Sequence, residues 1–176
     1  MQFNHDNMHG VRLAESLVNM LADGPWDTGT LQGLLASHLF RSPRVTPAIH
    51  DELREWAVRL RAVFAAEDQE ARCAAVNNLL AAGVRRVFLT THDDMLPHLH
   101  FADASETLVE RVRAVTAGGL AIFMTEAAGE RLGVCAWRDC SRVFADTSRG
   151  GNRTYCSVRC GNADAVRRYR GRARSG

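Results

Sequence analysis

Lysine is absent from this chain of 176 residues, so each of its 22 Lys+Arg positions is a guanidinium. No apolar run approaches the roughly 18 residues that a membrane-spanning helix needs; AVTAGGLAIFM comes nearest. The opening MQFNHDNMHG has neither the basic start nor the apolar stretch of a signal peptide. The expectation is therefore a cytoplasmic protein with no membrane partner, in a compartment where thiols stay reduced and disulfides are a poor default. No C-x-x-C occurs, which removes the usual redox dithiol. Neither a nucleophile–base motif nor a phosphate-binding loop is present, and this speaks against an enzyme. Internal repeats and low-complexity segments are missing as well.

What is present is unevenly distributed. The net charge of +2 hides two opposed halves. Residues 1–130 carry 11 arginines against 17 acidic residues, a balance of −6, whereas residues 131–176 carry 11 arginines against 3, a balance of +8. A basic tail on an acidic body points to a polyanionic partner for the tail. The plainer alternative is a solvated surface without a partner.

The first 130 residues read as mostly helical. GVRLAESLVNMLADG places Leu13, Leu17, Val18 and Leu21 on one face and stops at Gly24-Pro25, and TLQGLLASHLF repeats the pattern. TPAIHDELREWAVRLRAVFAAED has Thr46 to cap it and Pro47 for its first position, with Ile49, Leu53, Trp56, Leu60, Val63 and Phe64 at the helical period. EARCAAVNNLLAAG follows, with Cys73, Val76 and Leu80 in its stripe and Cys73 expected to be buried packing. Trp26 and Trp56 are expected in the core. RRVFLTT and HDDMLPHLHF then suggest a short antiparallel pair. ASETLVERVRAVTAGGLAIFMTEAAG returns to helix, with Gly118-Gly119 as a place where it bends or breaks. A turn at Gly129 to Gly133 marks the boundary, giving residues 1–130 as one domain and 131–176 as a second.

That second domain holds Cys135, Cys140, Cys156 and Cys160, spaced C-x4-C, fifteen residues, C-x3-C. Two close cysteine pairs on either side of such a loop suit one structural Zn2+ with four thiolate ligands, because two chain segments each supply two corners of a tetrahedron. SRVFADTSRGGNRTY suits a hairpin, with Arg142-Val143-Phe144 and Arg153-Thr154-Tyr155 as arms. CSVRCGNADAVRRYR suits a helix whose first turn holds the metal. A module this small and this poor in large apolar side chains needs the metal to fold, at about 10 kcal/mol for structural zinc. The fold class is thus α+β: a mainly helical N-terminal domain with a short antiparallel sheet, then a C-terminal treble-clef-like zinc finger. Four thiolates on zinc carry −2, which leaves the tail near +6 and still strongly basic. Arginine forks bind phosphate and read guanine edges, so Arg149, Arg153, Arg159, Arg167, Arg168, Arg170 and Arg172 are candidate contacts to double-stranded DNA.

CAWRDCSRVFADTSRGGNRTYCSVRCGN resembles the CGNR zinc finger. Phe144, Asp146, Ser148 and Arg149 fill the family's central F-x-D-x-S-R segment, Arg153 and Tyr155 precede the third cysteine, and Cys160-Gly161-Asn162 begins the terminal tetrad. The tetrad's arginine is Ala163 here, which removes a contact or moves it to Arg159 or Arg167. The upstream chain, through PHLHF and the helices before it, resembles ABATE, the stress-response regulator domain found N-terminal to this finger. The resemblance implies a bacterial DNA-binding transcription regulator with an N-terminal sensing domain.

For that domain, His98 and His100 in PHLHF share a face if the segment is a strand, with His92, Asp93 and Asp94 just upstream. They suit a metal site, a pocket for a small-molecule signal with Arg54 as a partner, or two histidines satisfied by hydrogen bonds in a half-buried sheet. Asn77-Asn78 suits a polar pocket lining and a solvent face equally. Two rival functions stand beside the regulator. One is an enzyme working through His98 and His100 with the finger as a recruiting module; the other is a finger that meets an acidic protein. The oligomeric state is open, a homodimer included.

Overall fold

The computed structural model of the chain describes residues 5–38, 40, 43–91, 97–103, 105–127 and 129–173, without the side chains of 5–7 and 172–173. His92, Asp93, Asp94 and Arg174, and the side chain of Arg172, lie outside this set. In chain order the elements are α1 (His5–Asp23), α2 (Thr28–Ser37), α3 (Pro47–Ala65), α4 (Gln69–Gly83), β1 (Phe88–Thr90), β2 (His98–His100), α5 (Leu108–Glu126), β3 (Leu132–Val134), β4 (Val143–Ala145) and α6 (Val158–Ala173). Among the described residues the protein is mainly helical with two small antiparallel sheets, β1–β2 and β3–β4.

Helix starts follow their caps. The side chains of Asp27, Thr46, Asp68 and Thr107 each accept an amide hydrogen bond from the first turn, and Thr107 forms a reciprocal capping box with Glu110. Pro47 opens α3 where its missing N–H costs nothing. Helices α1, α3, α4 and α5 pack around Trp56, Phe64, Phe123 and a set of fully buried leucines. Within that core the Trp56 indole donates to Thr116 Oγ1 at 2.9 Å, and the Thr116 hydroxyl donates on to the Val112 carbonyl at 2.7 Å. Trp26 is half-buried against the same core.

Gly118 and Gly119 do not break α5, which runs unbroken from 108 to 126. They serve close packing instead. A Cβ on Gly119 would lie 2.7 Å from the Gly10 Cα on α1, and one on Gly118 would lie 2.2 Å from the Phe101 ring. α1 and α5 therefore touch backbone to backbone at this crossing.

Cys73 also departs from expectation: it is exposed, and its neighbour Arg72 is the buried residue. The Arg72 guanidinium donates to the carbonyls of Val63 (3.1 Å), Ala66 (2.7 Å) and Gly129 (2.5 Å). Two of these close the C-terminal end of α3, where a cation meets the negative end of the helix dipole. The third ties α4 to the turn that leads into the cysteine module. Satisfying those carbonyls turns the helix so that Cys73 faces out. Asn77 and Asn78 also face solvent.

The helical body and the cysteine module share one buried cluster across position 130. Leu132, Val143 and Ala145 of the β3–β4 hairpin belong to the same buried cluster as the helices, packed on α1 and α3. Side chains of α1 close the hairpin's open edge. Asn19, buried itself, donates to the Val143 carbonyl at 3.1 Å and accepts the Val143 N–H at 2.7 Å, and one turn earlier Glu15 accepts the Ala145 N–H at 3.4 Å. Residues four apart on a helix thereby stand in for a third strand. Burial pushes the Glu15 carboxyl above its ordinary range, opposed by the Ala145 amide and by Arg153, Arg142 and Arg12. Outside this seam, Arg142 pairs with Asp23 at 2.6 Å and Arg61 donates to the Ser141 carbonyl at 2.7 Å.

Candidate metal centre and nucleic-acid interface

Strands β3 and β4 pair Leu132 with Ala145, Gly133 with Phe144 and Val134 with Val143. The segment between them is the first knuckle: Cys135 leaves β3, a turn closes with Cys140 N–H donating to the Trp137 carbonyl at 2.9 Å, and the chain re-enters at β4. Gly133 is needed opposite Phe144, because a Cβ there would lie 3.0 Å from the ring. This pairing differs from the expected one, in which residues 153–155 were to partner 142–144. Asp146 explains the difference. Its buried carboxylate accepts the N–H groups of Ser148 at 2.9 Å and Arg153 at 2.8 Å, which winds 146–153 into a closed turn. Burial opposes ionisation of Asp146, but the hydrogen bonds from Ser148 and from the Arg153 amide outweigh it and hold the carboxyl below its usual range. Arg131 braces the same turn by donating to the Ser148 carbonyl at 2.6 Å, beside Gly151, whose φ of +64° suits glycine.

The second knuckle is the start of α6. Ser157 Oγ accepts the Cys160 N–H at 3.3 Å and its carbonyl accepts the Gly161 N–H at 3.2 Å, so the helix begins between the two cysteines. The helix continues through Gly161-Asn162 without irregularity.

The four sulfurs of Cys135, Cys140, Cys156 and Cys160 all lie within 4.8 Å of one another. Cys140 and Cys156 are 3.7 Å apart and Cys156 and Cys160 3.6 Å. Four sulfurs bound to zinc at about 2.3 Å in a tetrahedron stand about 3.8 Å apart, so the donor set fits one structural zinc ion. All five cysteines are free thiols rather than disulfides. As a thiol, Cys156 is pushed up to about 12, first by burial and then by Cys160 and Cys140. A dication among the sulfurs reverses that preference, because thiolates are its ligands. Four protein ligands also close the coordination sphere, which is the arrangement of a structural rather than a catalytic zinc.

The arginines divide into those that build the finger and those that it displays. Arg153 is a builder: its guanidinium donates to the carbonyls of Tyr155 and Cys156 and lies 5.1 Å from the Phe144 ring centroid. Arg167 and Arg168 both hold Asp164, a buried carboxylate that also accepts the Tyr155 hydroxyl at 2.8 Å. Hydrogen bonds from Arg167 and Tyr155 keep Asp164 below the usual carboxylate range. Arg149, Arg159 and Arg170 are exposed and make no ion pair among the described residues. Helix α6 has 16 residues, and among the described residues no other helix or strand makes an extensive contact with it. Val158, Val166 and Tyr169 are correspondingly exposed.

Sequence reasoning did not assign roles to Asp146, Asp164 and Arg131. A signal for two of them was available: the tail contains three acidic residues among 11 arginines, and two of the three are the buried hubs. In the N-terminal body, β2 brings His98 and His100 together with their Nε2 atoms 3.0 Å apart, and Phe88 lies across from His100 at 5.6 Å between ring centroids. Arg54 stands exposed on α3, a separate element.

Residues 131–173 match the family model of the CGNR zinc finger. The match takes in both knuckles, the Asp146 turn and α6, and leaves the helical body outside it. No curated protein matches the chain.

Proposed function

We propose that this protein is a bacterial DNA-binding transcription regulator whose zinc finger holds α6 out as the DNA-contacting element. The observation that carries this reading is α6 itself: a helix fixed to the zinc cage at one end, with no other helix or strand packed along it among the described residues, and studded with arginines. A polar helix that packs on no other helix or strand gains little from projecting into solvent, but an array of guanidinia on a rigid rod matches a phosphate backbone. A finger that meets an acidic protein uses the same charges, and salt response alone does not separate the two; the partner offered does. The protein is read as a binding protein rather than an enzyme, in keeping with the closed coordination sphere. For the body we keep the stress-responsive, ABATE-like sensing role. A cleft of about 440 Å3 between α1, α2 and Arg142 is where a small-molecule signal would touch both body and finger.

Duplex affinity of the full zinc-loaded chain is expected to fall steeply with salt. If at least the three displayed arginines meet phosphates, the log–log slope is about −3 or steeper. Arg159→Ala and Arg170→Ala should each make the slope shallower by about one and weaken binding to all sequences alike. Arg153→Ala should act instead through zinc retention and stability. A flat slope, or no binding at low salt, overturns the reading.

A further inference from the structure

Between the first knuckle and α6 lies a cleft of about 730 Å3. Trp137 forms one wall, Ala163 and Val166 of α6 the other, and Arg138, Arg167 and Arg170 stand around it. Asp139 is the carboxylate on its lining, held by Arg138 at 3.3 Å, so the rim keeps a net positive charge. The Arg167 guanidinium lies 6.0 Å from the Trp137 ring centroid, and Asp164 fixes it there through two donors to one oxygen, at 3.1 and 2.7 Å. The cleft exists in this form because residue 163 carries a methyl group. An arginine at that place, as in the family tetrad, would project into it.

We infer that this cleft takes one unpaired nucleotide of DNA, its base against Trp137 and Arg167 and its phosphates on Arg138 and Arg170. The inference rests on the DNA-binding reading and names what the finger holds. Three features favour a nucleotide. Aromatic rings and guanidinium planes are the side-chain surfaces on which bases stack. The cleft volume lies within the range of small-molecule ligand sites and leaves room for one nucleotide. Its apolar walls combined with a cationic rim match a flat base joined to charged phosphates. A base still stacked in a duplex presents only its edge and cannot enter a space bounded on two sides, so the occupant is unstacked.

The test compares full-length, zinc-loaded protein on a mixed-sequence duplex, on the same duplex carrying one unpaired thymidine, and on polyglutamate. Base–aromatic stacking predicts that the unpaired thymidine tightens binding about fivefold or more. Ala163→Arg and Val166→Arg each add a cation to the cleft wall; Val166 is 48 % exposed, so its substitution does not disturb the core. Both variants should lose the preference for the unpaired thymidine while holding or gaining affinity for the paired duplex. If they strengthen binding to both DNAs equally, or if the unpaired thymidine adds nothing while paired duplex still binds, the cleft inference alone fails. If neither DNA binds, the DNA-binding reading fails with it. Tight polyglutamate binding that excludes DNA would assign the cleft to an acidic protein and overturn the inference.

Discussion

Stripping zinc from the protein is expected to lower the thermal midpoint of the whole chain, and not just to release residues 131–173. A finger on a linker would leave the helical body untouched. Here Leu132 and Val143 of the hairpin are buried in the body's own core, and β3 and β4 are joined by a loop whose two cysteines are metal ligands. The metal contributes on the order of 10 kcal/mol to folding a site of this kind, comparable to the entire stability of an ordinary domain. Without it the knuckle has little to keep β3 against β4. Losing the burial of two large side chains costs the body about 3–6 kcal/mol, which for a chain of this length corresponds to about 6–24 °C. Calorimetry with and without chelator measures this, and Cys156→Ser should reproduce it. A body transition unmoved by more than a degree or two would mean that the hairpin holds its place without metal.

Asn19→Leu should destabilise the protein by about 2–6 kcal/mol although leucine is similar in size and more apolar. Asn19 supplies both partners of the buried Val143 peptide groups, donor and acceptor, at 3.1 and 2.7 Å. Removing them leaves one buried N–H and one buried C=O unmatched, at about 1–3 kcal/mol each. Arg61→Ala is the control, since its hydrogen bond to the Ser141 carbonyl is exposed and should be worth well under 1 kcal/mol net. Urea melts of the two variants decide the point. Equal, small effects would show that the α1–β4 seam contributes little.

The zinc ligands and most helices were legible in the sequence because they depend on local rules: cysteine spacing, caps such as Thr46-Pro47, and a 3.6-residue apolar period. Part of what escaped depends on partners far apart in the chain. Asn19 looks like a lone polar residue in an apolar stripe, and its role appears only when a strand 124 positions later docks on it. Cys73 fits the apolar stripe of α4, yet it faces solvent because Arg72 is drawn inward by carbonyls from α3 and from Gly129. The strand-like arms at 142–144 and 153–155 suit a hairpin by their proximity in sequence. The buried carboxylate of Asp146 turns the second arm away, and β3 takes its place across the knuckle. Seven arginines pointed to DNA without distinguishing between them, although the groups that occupy Arg153, Arg167 and Arg168 lie only two to four residues away, and the spacing of Asp164 from Arg167 and Arg168 on one helix face was a readable signal.

The central claim is that zinc builds the surface that binds DNA. It is tested most directly by duplex affinity at one fixed low salt, measured on the zinc-loaded chain and again after chelation. The account predicts that binding falls at least about tenfold on chelation and returns when zinc is restored, since the arginines remain but α6 loses the anchor that presents them. Affinity unchanged by chelation would contradict it, because a loose arginine-rich tail would then bind as well as the assembled finger.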